Sequence, residues 1–395
     1  MPVVTEIETY YCELPRRREW TQHGIPQTLD RRVVLSLETD EGTKGWGEAT
    51  ALPQWGGLGG VYYGETRETV TSVIHDFLAP LLLGEDPMEM PQLTTAFDFA
   101  IRGHPYAKAT VEMALQDLRG KLLGAPIYQL LGGRVRDRIR IAHMLTMMPN
   151  EDALAEAQAI READGITAFQ IKVGVDIDRD VDLVEALRSA LGDDVALRVD
   201  ANRGYGRQPL VVAKACQRLE AAGVDAIEQP ADSVEAMATA QARVTVPIVA
   251  DEACWTSRDV LELWQAGAAS AVSVYVAKAG GIRPAALVAA TADIVGMASD
   301  LNGSLESGIG AAASMHVALA SSGTTNPSII PVPGTKEKPL TELAGRYWED
   351  GIVSSGFTWD DGYLLLGDAP GLGIEVDEDR LVHYAGGNQR KAHIE

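Results

Sequence analysis

The 395-residue sequence is poor in cysteine, in basic side chains and in long apolar runs. Cys12, Cys216 and Cys254 are odd in number and widely spaced, which argues against a disulfide framework and predicts reduced, buried thiols. Lysine and arginine total 34 against 56 acidic residues, and the net charge of −22 argues against nucleic acid or anionic membranes as partners. No run approaches the ~20 apolar residues of a membrane span, and the N-terminus lacks an apolar signal core. These absences leave a cytoplasmic globular protein as the expectation.

The length and the 46% content of hydrophobic residues are sufficient for two domains with sizeable cores. Residues 1–125 are predicted to form an α+β unit, because alternating runs typical of strands precede several helical patterns. Residues 366–395 return to strand-like alternation and are predicted to complete this unit. The stretch between them, 126–365, is predicted to be the catalytic domain.

Within the second stretch, ionisable residues recur at the spacing of a strand plus a helix. Lys172, Asp200, Glu228 and Asp251 follow one another at intervals of 28, 28 and 23 residues. Each closes a short apolar run and precedes a helical pattern, and one strand with its crossover helix takes about 30 residues. The pattern therefore predicts one polar residue at the C-terminal end of each successive strand of a parallel barrel, where barrel enzymes keep their chemistry.

The same alternation of apolar run and helical pattern continues through the whole catalytic stretch. It predicts a (β/α)-barrel, an α/β fold, with the α+β unit placed beside it. Eight runs are counted, and they end near Met144, Lys172, Asp200, Glu228, Asp251, Tyr275, Leu301 and Ile330.

Three carboxylates from neighbouring strand ends would converge on one point. Held that close, Asp200, Glu228 and Asp251 repel one another and cannot all stay ionised without a cation. Ligand sets made only of oxygen suit Mg²⁺ or a similar hard cation. The ladder therefore predicts a divalent metal site at the mouth of the barrel.

Three short stretches enclose these carboxylates: Arg198–Asn202, Ile227–Pro230 and Ala250–Glu252. They resemble the three metal-ligand motifs of the enolase superfamily and, more narrowly, of its muconate-lactonizing (muconate cycloisomerase) subgroup within the mandelate racemase/muconate lactonizing enzyme family. The resemblance spans nearly the whole chain, because further similar stretches are Gly45–Ala49, Leu131–Arg136, Phe169–Gly174, Ala277–Gly281, Leu305–Gly310 and Pro370–Gly373.

The resemblance implies a modified TIM barrel of the enolase type, with an N-terminal α+β capping domain over its mouth. It also implies an isomerase that binds Mg²⁺, or Mn²⁺ in its place, and a homo-oligomer, dimer or octamer. Its shared step is removal of a proton next to a carboxylate of a small substrate. The resulting enolate carries a second negative charge, which a divalent cation stabilises where it develops.

Site roles follow from the resemblance, residue by residue. Asp200, Glu228 and Asp251 are the expected metal ligands. Lys172, one strand earlier, is the expected catalytic base. We expect the nearby cation and partial burial to lower the pKa of Lys172 toward neutrality.

Two positions depart from the pattern of the subgroup. A Lys-x-Lys pair is usual on the second strand, and here Gln170 takes the first place. A second catalytic lysine usually ends the sixth strand, and Tyr275 stands there, as an acid, a substrate anchor or a packing residue. Lys278 lies three residues beyond and is expected to leave the barrel mouth, as a solvated or supporting lysine.

Other residues are predicted to support the site. Asn202 is expected to face the mouth beside Asp200, Glu252 to point away and orient a lysine, and Glu306 to contact substrate or lysine. His316 lies in a helical run and is expected in the core or on the helix surface.

Substrate choice is expected to rest on two capping loops, about Arg16–Gln27 and Ala51–Glu65. Trp20, His23 and the run Arg16-Arg17-Arg18 are possible substrate contacts, and Trp55 is an apolar wall.

The type of reaction stays open at the level of the sequence. One intact lysine favours one-base chemistry, and the leading hypothesis is a muconate-cycloisomerase-like proton transfer through a metal-stabilised enolate. A dehydratase of a hydroxy acid is an alternative, as is a racemase or epimerase of an amino-acid derivative, which needs a second group. A barrel that has lost its chemistry and serves as a binding or structural protein is the hypothesis from a different class.

Overall fold

The computed structural model describes residues 2–17, 20–22, 25–27, 32–58, 62, 64–332, 344 and 347–394, with only the backbone for 20–22 and 25–27. Three of the possible substrate contacts lie outside these described parts: Arg18, His23 and the side chain of Trp20. The same holds for parts of both predicted capping loops.

The first unit contains an antiparallel sheet backed by helices. Its strands are β1 (Val4–Cys12), β2 (Trp20–Gln22), β3 (Ile25–Gln27), β4 (Arg32–Thr39) and β5 (Lys44–Thr50). In the sheet β1 lies between β4 and the last strand of the chain, and β5 follows β4, while β2 and β3 pair with each other. The helices are α1 (Arg67–Val73), which continues as a π and a 3-10 turn to Leu81, α2 (Met90–Ala100), α3 (Pro105–Leu123) and α4 (Ile127–Leu130).

Two glycines let α3 lie directly on the sheet. A Cβ at Gly47 would come within 1.9 Å of the Thr110 carbonyl oxygen, and one at Gly45 within 2.3 Å of that of Ala114. Any side chain there would push the helix away from β5. These glycines therefore fix the close packing of α3 against β5.

The second unit is a curved parallel sheet surrounded by helices. After the short β6 (Ile139–Arg140), the described residues form seven parallel strands whose order in space is their order in the chain. These strands are β7 (His143–Leu145), β8 (Ala168–Lys172), β9 (Ala196–Asp200), β10 (Ala226–Glu228), β11 (Ile248–Ala250), β12 (Ala271–Val274) and β13 (Ala298–Leu301). The helices are α5 (Asn150–Asp164), α6 (Ile177–Leu191), α7 (Pro209–Ala222), α8 (Val234–Gln241), α9 (Ser257–Ala266), α10 (Val276–Ala279), α11 (Ile282–Ile294) and α12 (Gly308–Ala320). The predicted (β/α)-barrel is confirmed.

The eighth predicted run differs from the other seven, because no regular strand ends near Ile330 in the described residues. An irregular segment takes its place and forms single bridges, Ser299 with Thr324 on one side and Ile141 with Ser328 on the other. Pro327 lies between these bridges and has no amide hydrogen to give to a ladder. The ring is therefore closed by isolated contacts at this position.

The last part of the chain returns to the first unit. It forms β14 (Val353–Ser355), β15 (Phe357–Asp360), β16 (Tyr363–Leu366), β17 (Glu375–Val376), α13 (Glu378–Ala385) and β18 (Gln389–His393). β18 pairs antiparallel with β1, with Ile7 opposite Ala392. The return of a strand-like tail to the first unit is therefore observed, while the predicted boundaries at 125 and 366 stay predictions.

Hydrogen bonds to a buried carboxylate of the first unit join it to the second. Glu48 of β5 accepts hydrogen bonds from the amides of Ser307 and Gly310 at 2.7 and 2.9 Å, and Arg32 donates to it at 2.6 Å. A carboxylate at the start of α12 is favourably placed for the dipole of that helix. The pairing holds the capping unit to the barrel at the mouth, close to the strand ends.

The bulk properties predicted from the sequence are partly visible in the structure. Cys12, Cys216 and Cys254 are buried and form no disulfide. His316 lies fully buried on α12, in the core and not on the helix surface. Among the described residues, none of the helices has the length and apolar character needed to cross a membrane.

Candidate active site

The predicted ladder lies along one edge of the barrel. Lys172 is the register partner of Asp200, and Asp200 is that of Glu228, so these residues stand side by side at the ends of β8, β9 and β10. Asp251 comes one residue after the end of β11. Side chains two apart on a strand share a face, which puts Gln170 one level below Lys172. The sequence therefore placed these five residues on the correct elements.

Lys172 is held by two neighbours from the next strand. Its Nζ donates to Oδ2 of Asp200 at 2.5 Å and to Oδ1 of Asn202 at 2.9 Å. Burial lowers the pKa of Lys172, but Asp200 and Glu228 outweigh it and raise that pKa above its ordinary value. The residues of the protein by themselves thus act against the expected lowering, so the charge of a bound cation would be needed to produce it.

Gln170 bridges two of the predicted metal ligands. Its Nε2 donates to Oδ2 of Asp200 at 3.1 Å and to Oε2 of Glu228 at 2.6 Å. Both acceptors are almost fully buried. The amide thus gives these carboxylates a neutral donor where the subgroup usually has a lysine.

Glu228 is surrounded by several charged side chains. Burial raises its pKa well above the ordinary value, Arg198 lowers it, and Asp200 and Asp251 raise it further. The Nε of Arg198 is 3.2 Å from Oε2 of Glu228, and the same guanidinium pairs with Asp300. Oε1 of Glu228 is buried and has no hydrogen-bond partner.

The expectation that Lys278 leaves the mouth as a solvated lysine is wrong, and the alternative of a supporting lysine agrees with the structure. The lysine does not leave the mouth: its side chain is buried, and Nζ donates to Oδ1 of Asp251 at 2.7 Å and to the carbonyl oxygens of Asp251 and Ser273 at 2.8 Å. The one-turn helix α10 is the cause, because it follows Tyr275 directly and turns the chain back over the end of β11. Lys278 is therefore a supporting residue for Asp251.

The three carboxylates fit a hard cation by their chemistry but are not arranged around one. No group of three or more His, Cys, Asp or Glu side chains in the described part of the chain could hold a metal ion as it stands. Lysine and amide nitrogens cover Asp200 and Asp251 instead. The unpartnered buried oxygen of Glu228 and the mutual repulsion of three buried carboxylates are what a divalent cation would relieve. Assignment of the metal ligands stays a prediction.

Asn202 and Glu252 form a chain behind Lys172. Asn202 accepts from Lys172 and donates from Nδ2 to Oε1 of Glu252 at 3.2 Å. Glu252 is fully buried, and burial raises its pKa, with Asp251 and Asp200 adding to the effect. The contact of Glu252 with Lys172 is therefore indirect, through Asn202, and its expected role in orienting a lysine stays a prediction.

Tyr275 lies directly after β12 and is buried against aromatic neighbours. Its ring meets that of Trp55 edge to face at 4.8 Å between centroids, and Nζ of Lys278 lies 4.9 Å from its ring centre. Burial raises the pKa of Tyr275 well above its ordinary value, and Asp251 and Glu228 raise it further. Burial and these carboxylates therefore favour the neutral phenol, which can donate or accept a hydrogen bond.

Glu306 lies close to the mouth without lining the cavity. It is buried, Oε2 has no partner, and burial with the nearby Glu48 raises the pKa of Glu306 to about 8. Its neighbours Gly303, Ser304 and Leu305 do line the cavity. Among the described residues no lysine contacts Glu306, and the alternative contact with substrate stays a prediction.

A cavity opens above the ladder, between the barrel and the capping unit. Lys172, Asp251, Gln170, Asn202 and Tyr275 line it, and the remaining lining is mostly apolar. Trp55 contributes an apolar wall, as expected from its loop.

Sequence reasoning missed two parts of the site. Met144 faces the cavity at the register position of Gln170, and the alternation of β7 could have indicated it. Arg198 stands two residues before Asp200, so both side chains lie on the same face of β9. That placement beside β10 could have indicated the pairing of Arg198 with Glu228.

Comparison with known families decides what kind of barrel this is. A family model described as enolase C-terminal domain-like matches residues 152–380. A second one, described as the N-terminal domain of mandelate racemase/muconate lactonizing enzyme, matches residues 18–132. The chain belongs to the mandelate racemase/muconate lactonizing enzyme family. This membership confirms the resemblance to the enolase superfamily and its muconate-lactonizing subgroup.

Relatives in this family cover almost the full chain. N-succinyl-L-Arg/Lys racemase of Bacillus cereus is 31% identical over 383 residues, 96% of each chain. Muconate cycloisomerase 1 of Acinetobacter baylyi is 31% identical and covers 95% of this chain and 97% of its own. The crystal structure of muconate lactonizing enzyme from Pseudomonas fluorescens complexed with muconolactone matches with a TM-score of 0.87, 33% identity and 97% and 99% coverage. The predicted class, an enolase-superfamily enzyme of the isomerase type, is confirmed.

Proposed function

We propose that this protein is a muconate-cycloisomerase-like enzyme that moves a proton at the α-carbon of a small carboxylic acid, with Lys172 as its single acid or base. The observation that carries the proposal is the lining of the cavity. Among the described residues that line it, Lys172 is the one lysine, and Tyr275 is placed across the barrel from it. β8 and β12 are four positions apart in the ring, which puts them on opposite sides of a bound substrate.

Asp200, Glu228 and Asp251 would hold a divalent cation, Mg²⁺ or Mn²⁺. When bound, it supplies positive charge to the carboxylate oxygens of the substrate, where the enolate develops its second negative charge. The donor set supports this assignment, because it offers only oxygen ligands and includes one buried oxygen without a partner.

The protein's own residues supply the proton transfer. In its charged form, which the surrounding carboxylates favour, Nζ of Lys172 can deliver a proton to an enolate carbon; in its neutral form it can remove one. Asn202 fixes the position of Nζ through the 2.9 Å hydrogen bond, and Glu252 fixes Asn202. Tyr275 can donate a hydrogen bond from the other side, and burial favours its neutral form.

Racemisation or epimerisation is the second candidate. The similarity to N-succinyl-L-Arg/Lys racemase of Bacillus cereus, at 31% identity, favours it. It needs an acid or base on each face of the substrate. Lys278 is unsuitable, since its Nζ is buried in contacts with Asp251 and Ser273. Tyr275 would have to serve, against the raised pKa of its phenol.

The test is solvent-deuterium exchange with a panel of small carboxylic acids in D₂O, followed by mass spectrometry. We expect α-deuterium in the presence of Mg²⁺, none after chelation, and recovery when Mg²⁺ or Mn²⁺ is returned. Lys172→Ala should slow the exchange by about 10²–10⁴-fold, the usual contribution of one general acid or base. The exposed Lys214→Ala on α7 is the matched control and should exchange at the wild-type rate. Undiminished exchange in Lys172→Ala, or in the presence of excess chelator, would contradict the proposal.

A further inference from the structure

A polar layer lies inside the barrel, directly beneath the ladder. Gln170 and Arg198 are register partners on β8 and β9, and each stands two residues before a ladder residue. Ser273 and Asp300 are register partners on β12 and β13. All four side chains are buried. Branched apolar residues usually fill the interior of such a barrel, so a buried polar layer at this level calls for a specific role.

Arg198 spans this layer from one side of the barrel to the other. Its Nε lies 3.2 Å from Oε2 of Glu228 on the neighbouring β10, and its Nη1 donates to Oδ2 of Asp300 on β13. β9 and β13 are four positions apart in the ring, so the two strands face each other across the interior. The guanidinium is therefore shared between a ladder carboxylate and a carboxylate outside the ladder.

Asp300 is held from its other side as well. Nδ2 of Asn302 donates to Oδ1 of Asp300 at 3.0 Å, and Oδ1 of Asn302 accepts from the amide of Ile329 at 2.7 Å. Hydrogen bonds from a guanidinium and an amide favour the ionised form of a carboxylate. Asp300 is therefore a fixed counter-charge for Arg198.

The two oxygens of Glu228 have different surroundings. Oε2 accepts from Nε2 of Gln170 at 2.6 Å and faces Arg198, while Oε1 is buried and has no hydrogen-bond partner among the described residues. The donors on Oε2 thus orient the carboxylate and leave Oε1 to a cation. Glu228 is one of the three proposed ligands, so the groups that orient it also bear on the affinity for the metal.

We propose that Asp300 is a positioning residue of the metal site and raises its affinity for a divalent cation by sharing the charge of Arg198. The inference rests on the proposed function, because it concerns the same three ligands. A guanidinium paired with Glu228 alone would compete with the cation for the negative charge of that ligand. With Asp300 as its second partner, Arg198 competes less and still orients Glu228.

The experiment measures Mg²⁺ binding by calorimetry on the full chain without substrate. Asp300→Asn keeps the shape of the side chain and removes its charge, so Mg²⁺ should bind at least about tenfold more weakly than to the wild type. Asp182→Asn is the matched control, because it removes the same charge from the exposed surface of α6. Its affinity for Mg²⁺ should equal that of the wild type.

A second variant separates charge from packing. Asp300→Glu keeps the carboxylate but adds a methylene group at a fully buried position, so it disturbs packing more than Asp300→Asn does. The proposal predicts tighter Mg²⁺ binding by Asp300→Glu than by Asp300→Asn, and a role in packing alone predicts the reverse. Circular dichroism checks that each variant is folded. If Asp300→Asn is not, Asp300→Ser removes the same charge and replaces it in the comparison.

Each outcome bears on a different claim. Wild-type affinity for Mg²⁺ in Asp300→Asn, or weaker binding by Asp300→Glu than by Asp300→Asn, would overturn the inference. The proposed function would survive either result, because it is judged separately by the Mg²⁺- and Lys172-dependent exchange of the α-proton. Exchange that continues undiminished in excess chelator would overturn both.

Discussion

Lys278 is a buried cation whose removal should destabilise the barrel. Its Nζ donates to Oδ1 of Asp251 at 2.7 Å and to two carbonyl oxygens at 2.8 Å, and both charged side chains are almost fully buried. Lys278→Met keeps the length and the apolar stem but removes the lysine donor of the buried Asp251 carboxylate and of the Ser273 carbonyl, while the Asp251 carbonyl keeps the Cys254 amide at 2.9 Å. Breaking one side of a buried ion pair lowers stability by about 3–5 kcal/mol. We expect a loss of this size in the free energy of unfolding when no divalent cation is present.

The dependence of that loss on Mg²⁺ makes the prediction specific. A cation held by Asp251 would replace the missing charge of Lys278, so Mg²⁺ should stabilise Lys278→Met more than it stabilises the wild type. The assay is urea unfolding followed by circular dichroism, in chelator and in Mg²⁺, with the exposed Lys214→Met as control, expected within about 0.5 kcal/mol of wild type. A loss below about 1 kcal/mol in chelator, or equal stabilisation of both proteins by Mg²⁺, would refute the reasoning.

Further outcomes can be measured on single substitutions. Asn202→Ala removes the acceptor of Lys172 and should slow α-deuterium exchange by about 10–100-fold, with the Mg²⁺ dissociation constant little changed; a large change in that constant would contradict a positioning role. Asp200→Asn should weaken Mg²⁺ binding by calorimetry at least about tenfold without altering the circular dichroism spectrum, and a collapsed spectrum would contradict a site at the mouth. Burial lowers the pKa of His316 to about 4, so the folded state binds its proton less tightly than the unfolded state. The contribution of neutral His316 to the free energy of unfolding is complete above about pH 6.5. It is lost as the pH falls toward 4, by at most about 3 kcal/mol. Urea unfolding of His316→Gln should therefore show a flatter pH dependence over this range.

The sequence was informative where strands are regular. A parallel ladder puts residues of equal register side by side, so the spacing of Lys172, Asp200 and Glu228 was enough to bring them together. The barrel helices, such as α7 at Pro209–Ala222, follow from apolar periodicity with glycine at the end.

The sequence was least informative where the chain turns back on itself. Lys278 comes back to Asp251 only because a single helical turn, α10, stands between Tyr275 and Gly280, whose φ is 92°. A turn of four residues leaves no periodic signal. The prediction of a regular eighth strand was wrong for a related reason. Pro327 interrupts an apolar run whose composition resembles that of a strand.

The lowering of the Lys172 pKa by a nearby cation stays a prediction, because the structure gives only the balance of charges among the protein's own residues. Burial and a cation both lower the pKa of a lysine, and the sequence suggested both. The structure adds the distance that decides the balance, 2.5 Å from Nζ to Asp200. At that separation the Asp200 carboxylate raises the pKa of Lys172 more than burial lowers it, until another cation shares the charge of the carboxylate.

The measurement that tests the central claim most directly is the stereochemical course of proton transfer. The carboxylic acid found by the exchange screen is run in D₂O with Mg²⁺, and the configuration at the deuterium-bearing carbon is determined by chiral chromatography and mass spectrometry. One-base chemistry by Lys172 predicts that all deuterium enters from one face and that Lys172→Ala removes it. Deuterium entering from both faces would show a second acid or base across the barrel and would contradict the account.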